Sequence, residues 1–195
     1  MPYRAAVHDS GPTFTGHLVL PNLIDFSGNT YDRLRAATKQ LCKSLNLLSL
    51  QVFTASTIVP QNPAHCAIGI GITGLADLFA RKKLAFDSND AMVLSGTIME
   101  TVYHAALEAS TELVKNNVVR CHLSYNSTKQ AQGLFEYHYH GFCTGSTYLP
   151  AQLWTNLAGE IKVTGVANAE VTALTPAKHC ASLTFLSEGV EPFES

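Results

Sequence analysis

The 195-residue chain predicts a mixed α/β fold: short apolar or alternating runs that read as strands are separated by helical ladders. Three observations carry this. The run Cys66 to Ile72 is short and apolar and leads into a brief helical pattern. Residues 29–50 and 88–115 each repeat apolar side chains every three or four positions, the period of an amphipathic helix. Leu134 to Phe142 alternates apolar with polar residues, the period of a strand.

In chain order, the first fifteen residues, with Pro2, Gly11 and Pro12, form an irregular lead-in. His17 to Leu20 reads as a strand stopped by Pro21. Leu34, Ala37, Leu41, Leu45 and Leu48 then mark one face of a helix from Asn29 to about Leu50. A loop with Pro60 and Pro63 precedes the strand Cys66–Ile72, and a helix is expected from Leu75 to about Lys83. The next helix is the best marked: Ser88, Asn89 and Asp90 offer N-caps, and Leu94, Ile98, Val102, Ala105, Ala109 and Leu113 form a ladder ending near Lys115. After polar residues 116–131 and the alternating run, Pro150 opens a helix carrying Leu153, Trp154, Leu157 and Ile161. Glu170 to Leu174 is a last strand, entering the loop Thr175 to Cys180. No repeat or linker divides the chain, so residues 1–195 are expected to form a single domain.

Composition narrows the function. Charged residues are only 14% against 46% hydrophobic, as in a piece of a larger body or an oligomer. A net charge of −2 provides no basic field, which argues against nucleic acid as a partner. The opening residues lack an apolar targeting core and no run is long enough to span a membrane, so a cytoplasmic protein is expected, in the host cytoplasm if viral. Five cysteines at 42, 66, 121, 143 and 180 are odd in number and contain no C-x-x-C, so they read as small buried hydrophobes.

Four constellations have spacing that chemistry could use. Gly69, Gly71 and Gly74 spell G-x-G-x-x-G, yet a dinucleotide site needs a second parallel strand, and Leu84 to Asp90 is too short and polar to supply it. The three glycines are therefore expected to make a strand-to-helix corner with close backbone packing. Glu100, His104 and Glu108 share a helix face and read as a solvated side. Glu136, His138 and His140 share a strand face near Cys143, but no third ligand completes a metal site. The loop Pro176 to Cys180, between strand and helix, is where an α/β protein seats an anion, with Lys178 and His179 adding charge and donors. No G-x-S-x-G anchors a hydrolase triad.

Several segments, in order, resemble the large, catalytic subunit of ribonucleoside-diphosphate reductase, in particular its herpesvirus versions. Ala67 to Phe79 is similar to that family's P-I-G-I-G-V-Q-G-L-A-D-A-F, and Ala105 to Ser110 matches a helix ending in A-L-E-A-S. Gly133 to Tyr137 resembles G-x-L-Q-Y. Trp154, Leu157, Ile161, Gly165 and Asn168 keep the spacing of a family helix and turn, and Ser187 to Phe193 resembles the stretch after the substrate-phosphate loop. The resemblance runs from about residue 17 to 195.

It implies part of a ten-stranded α/β barrel with long outer helices, from the middle of the barrel, and a role in deoxyribonucleotide synthesis. It also implies a ribonucleoside diphosphate as substrate and a small subunit, or a second large-subunit chain, as partner. The family's metal lies in the small subunit, so no cofactor is expected in this chain. The family's phosphate loop, P-T-A-S-T, falls on Pro176, Ala177, Lys178, His179 and Cys180, where its hydroxyls are lost. The radical cysteine's N-x-C-x-E and the C-x-x-C relay do not occur in the sequence, and the barrel's redox cysteine falls near Gly16, so no catalytic residue is assigned. The later barrel strands would begin beyond Ser195, and the effector-binding region is missing. Two hypotheses follow: a fragment of a complete reductase, or a catalytically dead reductase-derived protein that binds a reductase subunit or a host factor.

Overall fold

β1 (Phe14–Val19) and β2 (Ile68–Thr73) lie side by side and parallel, with His17 opposite Gly71. The computed structural model describes residues 14–24, 30–55, 67–122, 125–135, 148–175 and 177–191. Residues 170–173 run parallel along the other edge of β2: the Ile68 and Ile70 N–H groups donate to the Glu170 and Val171 carbonyls at 3.0 and 3.1 Å, and the Ala173 N–H donates to Ile70 at 3.2 Å. The expected strand 170–174 is thus a single bridge. The mixed α/β class holds, and it is helix-rich. Among the described residues the β structure is this pair and its bridge, not ten strands.

β2 is buried along its whole length, and its two faces differ in kind. Ile68, Ile70 and Ile72 point into the main core, with Leu34 and Leu45 of α2 (Thr30–Ala55) and Ile98 and Val102 of α4 (Asn89–Lys115). Gly16 of β1 faces the same way, because a Cβ there would meet Leu41 at 2.9 Å. The opposite face of β2 carries Gly69 and Gly71, followed by Thr73 at the strand's end. A Cβ on Gly69 would lie 3.0 Å from both Thr15 and Ala173, and one on Gly71 would lie 2.8 Å from the His17 ring and 3.1 Å from the Ala173 carbonyl. Neighbouring side chains therefore fold over the glycines and close the sheet from that side.

Of the three glycines expected at the corner, only Gly74 is there. At φ +78° it sits in the left-handed region that L side chains avoid, and it caps α3 (Leu75–Lys82) by accepting from Leu78. A Cβ would also press on the Pro21 ring at 2.8 Å. Pro21 belongs to the short helix α1 (Leu20–Leu23) rather than ending a strand at Leu20: proline fits the first helical turn, where its missing N–H has no partner to lose.

α4 follows the predicted ladder. Ser88 caps it through the Ala91 N–H at 3.2 Å, and all six ladder positions are buried. α2 keeps most of its predicted face: Leu34 and Leu45 are buried and Ala37 and Leu41 pack against the core, while Leu48 is exposed and the buried stripe also takes in Thr38, Cys42, Asn46 and Ser49. Asn46 is one of these polar residues. It exchanges amide bonds of 2.9 and 3.1 Å with buried Asn168, whose oxygen also accepts from Ser110 of α4 at 2.9 Å. A fully paired network can hold a polar residue inward among apolar ones.

Along the outside of the same seam, Arg35 pairs with Glu108, and Lys39 and Lys43 hold Glu112 at 2.6 and 3.1 Å. α5 (Ala151–Thr164) completes the layer, burying Trp154, Leu157 and Ile161, and α6 (Lys178–Thr184) follows the bridge. Among the described residues no helix is long and apolar enough to cross a membrane.

Two stability predictions follow from this geometry. Gly74→Ala should lower unfolding free energy by about 1–2 kcal/mol from the left-handed backbone alone, with the Pro21 contact adding to it. Gly159→Ala, inside α5 with nothing near its Cβ, should raise it by roughly 0.5–1 kcal/mol. Urea midpoints at constant slope read both. Partial burial pushes the Glu112 carboxyl up, but the hydrogen bonds and charges of Lys39 and Lys43 outweigh this and hold it below its usual value. Its contribution is therefore complete above the unfolded carboxylate range and is lost as pH falls through the folded value. Glu112→Gln should flatten the acid limb of the stability curve below about pH 4.5.

Candidate functional site

The glycine face of the sheet carries a short polar row. Thr15 and His17 on β1 stand beside the bare backbone of Gly69 and Gly71, and beyond it come Ala173 and Thr175. His17 Nε2 lies 3.1 Å from the Thr175 hydroxyl and 3.3 Å from its carbonyl oxygen, and Nδ1 lies 3.8 Å from Cys180 Sγ. With the ring hydrogen on Nε2, the tautomer in which the Thr175 carbonyl accepts, Nδ1 is left as acceptor for the thiol. The row runs to the carboxyl end of the strands, where open α/β sheets take ligands.

The candidate loop is placed there, but it is not a plain loop. Lys178, His179 and Cys180 form the first turn of α6, with Lys178 and His179 exposed and Cys180 half-buried. Ala177 is buried, and Pro176 lies outside the described residues. The structure brings Cys180 to His17 and Thr175, two partners that sequence reasoning did not single out. The spacing between residues 17 and 180 gives no local signal; only the strand pairing creates it.

A ledge on the other side of β2 is different in character. Ile72, Phe79, Met99 and Leu174 line an apolar groove that offers almost no polar group to a ligand.

The other constellations have structural settings. Glu100, His104 and Glu108 are not a solvated face, because α5 and α2 cover them. Glu100 accepts the Trp154 indole N–H at 2.7 Å and the Tyr148 N–H at 2.6 Å, and His104 is buried edge-on against Trp154 with ring centres 4.8 Å apart. His104 Nε2 reaches the Leu153 carbonyl at 3.3 Å and Nδ1 faces Arg35 at 3.2 Å, so Nδ1 accepts from the guanidinium. Burial is the main reason its pKa is lowered; the Arg35 and Lys39 charges act the same way, and the Leu153 bond and Glu108 act against them.

The cysteines divide. Cys42 is a buried thiol whose pKa burial pushes up to about 12, whereas Cys121 and Cys180 are half-buried, contrary to the expectation for all five. Burial also raises Cys121. Glu136, His138, His140, Cys66 and Cys143 lie outside the described residues.

Comparison with known proteins decides the family. The profile described as "Ribonucleotide reductase, barrel domain" matches residues 15–195, nearly the whole chain. This chain belongs to the ribonucleotide reductase large-subunit family. It is 31% identical over 183 residues to the ribonucleoside-diphosphate reductase large chain of Neurospora crassa, covering 91% of this chain and 19% of that one. It is 30% identical to the large subunits of Equine herpesvirus 2 and Danio rerio, covering 84% and 89% of this chain. The chain thus spans about a fifth of the length of the curated reductase relatives it matches. In this ribonucleotide reductase homologue Gly69 and Gly71 lie within β2 and Gly74 makes the corner to α3.

Trp154 is the only tryptophan, so it reports on His104. Because the folded state holds His104 below its unfolded pKa, its contribution to stability is present above about pH 6.5 and declines as pH falls from there toward the folded value. Unfolding free energy should therefore drop on acidification from about pH 6.5, with quenching of Trp154 emission as imidazolium forms at the ring edge. His104→Gln should remove both the slope and the quench.

Proposed function

We propose that the chain serves as part of the barrel of a ribonucleoside-diphosphate reductase large subunit, in the supply of deoxyribonucleotides for DNA synthesis. The observation that carries this reading is the family match across residues 15–195, and the position of the 177–180 turn at the carboxyl end of the strands agrees with it. Its ligand is a ribonucleoside diphosphate. Its partners are the small subunit or a second large-subunit chain, and its place is the cytoplasm. The metal belongs to the small subunit and no cofactor is held here.

Within this reading the chain's own residues bind rather than react. Lys178, exposed on the first turn of α6, puts an ammonium where a diphosphate would lie, in partial replacement of the hydroxyls in the family's P-T-A-S-T. Pro176, Ala177, His179 and Cys180 supply the rest of the loop. Gly16 has no thiol, and a side chain there would point at Leu41 of α2, away from the polar row. Neither N-x-C-x-E nor C-x-x-C occurs in the sequence, so these residues hold no radical and relay no electrons.

The purified chain, mixed with small subunit, a dithiol reductant and a ribonucleoside diphosphate, should form no deoxynucleotide. Measured turnover would overturn the assignment of a purely binding role. Calorimetric titration with ADP or UDP should show binding that Lys178→Ala weakens about fivefold, the equivalent of one charge-assisted contact near 1 kcal/mol. An affinity untouched by that substitution would remove the loop from the site.

A further inference from the structure

We propose that Cys180 and His17 form a thiol–imidazole pair that makes Cys180 a nucleophile toward small anionic disulfides. The proposal does not depend on the reductase reading. It rests on three groups brought together from distant parts of the chain. Cys180 Sγ lies 3.8 Å from His17 Nδ1, and the other ring nitrogen is held by Thr175 through its carbonyl and hydroxyl oxygens. That is the order of a nucleophile, a base and a group that orients the base. Thr175 does more than touch the ring. By taking the Nε2 hydrogen it leaves Nδ1 basic on the side that faces sulfur.

The surroundings favour reaction at this thiol over the others described. Cys180 is half-buried, so a small reagent can reach it while the imidazole stays partly shielded from competing water. Cys42 is sealed in the core with its pKa pushed to about 12, and burial raises that of Cys121 as well. The choice of reagent follows from charge: the exposed ammonium of Lys178 lies on the same first turn of α6 as Cys180. Cationic groups beside a thiol raise the local concentration of anionic reagents.

The step balances without a metal or an external base. The Cys180 S–H proton passes to His17 Nδ1, and the thiolate attacks one sulfur of the disulfide. A new S–S bond forms to Cys180 as the old one breaks. The departing thiolate takes the proton back from the imidazolium. The products are a mixed disulfide on Cys180 and one equivalent of free thiol; the disulfide reagent is the oxidant.

The test uses the intact chain with oxidised glutathione as the anionic probe and 2-hydroxyethyl disulfide as the neutral one, with the modified residues located by peptide mass mapping. Cys180 should be modified at least about tenfold faster than Cys42 or Cys121. His17→Ala should cut the Cys180 rate by about tenfold, and added imidazole should restore it, a rescue that lost packing would not give. Lys178→Glu should slow the reaction with oxidised glutathione more than the reaction with the neutral disulfide at the same salt. Should His17→Ala not fold by its Trp154 emission, the unmodified chain still decides. Rates at Cys180 no greater than at Cys42 or Cys121, or a Cys180 rate indifferent to His17 and to imidazole in a folded variant, would overturn the proposal. Equal slowing of both probes by Lys178→Glu would overturn the preference for anions.

Discussion

A strand that carries two bare glycines, Gly69 and Gly71, on one of its faces sets the terms for the rest of this fold. Parallel strands are covered on both sides, and β2 meets that demand in two unlike ways. Its isoleucines give the helix layer full-sized apolar side chains, each worth about 1.5–3 kcal/mol on burial. Its glycines give the other layer room. Strands sit about 4.8 Å apart, so β1 and the 170–173 segment are separated by nearly 10 Å across β2. A histidine on one reaches a threonine on the other only if the strand between them carries nothing in the way. Gly71 satisfies that condition, and the His17–Thr175 contact is its consequence. A one-residue slip of β2 would put isoleucine under His17 and glycine into the core, so the same alternation that builds the site also fixes the register.

The helix layer is registered by polar contacts at two depths. Asn46, Ser110 and Asn168 satisfy one another in the interior, and Ser110 also accepts the Ala167 and Asn168 N–H groups at 3.0 and 3.1 Å. Removing any one member leaves buried partners unpaired, at about 1–3 kcal/mol each. The outer ion pairs of Arg35, Lys39 and Lys43 with Glu108 and Glu112 are partly exposed, and such pairs are individually worth only about 0.2–1 kcal/mol. The inner network therefore holds the helices in register and the outer ladder adds a smaller increment. Ser187 plays a comparable part at the sheet's edge: its N–H and hydroxyl both donate to Asp77 at 2.7 Å, and its carbonyl accepts from Gly74. That contact ties the chain after α6 to the corner after β2.

What could be read from sequence divides along the range of the forces involved. α4 was legible from cap to end because its six-rung ladder and the Ser88 cap are local. β2, α3 and α5 were legible for the same reason. The polar part of α2's buried stripe was not, because Asn46 finds its partner 122 residues away. His104 reads as solvated on its own helix, since the residues that cover it, Leu153 and Trp154 of α5 and Arg35 of α2, are distant in sequence. A signal did exist in the lone tryptophan, whose indole N–H needs an acceptor and finds it in Glu100. The turn at 178 carried one as well: Pro176 lies just ahead of a run without glycine, a common way for a helix to begin. The His17–Cys180 contact had none, because it exists only through pairing of the strands.

Under the proposed reading, residues 176–180 stand where the family has its phosphate loop. A loop that reads P-T-A-S-T presents hydroxyls, compact donors whose O–H bonds suit phosphate oxygens. This chain has a thiol in the last of those positions, and a thiol is a weak donor. As a ligand for phosphate the exchange is a loss that the Lys178 charge offsets only in part. As chemistry it is a change of kind. A hydroxyl beside a histidine is a poor nucleophile without further activation, whereas sulfur gives up its proton more than a thousandfold more readily and attacks disulfides directly. Under the proposed reading this turn sits at the carboxyl end of the strands, with the Lys178 ammonium in front of it and the His17 imidazole behind it. A charge that recruits a diphosphate in that reading would also recruit other small anions, and at Cys180 an anion with a weak S–S bond would meet a group able to react with it.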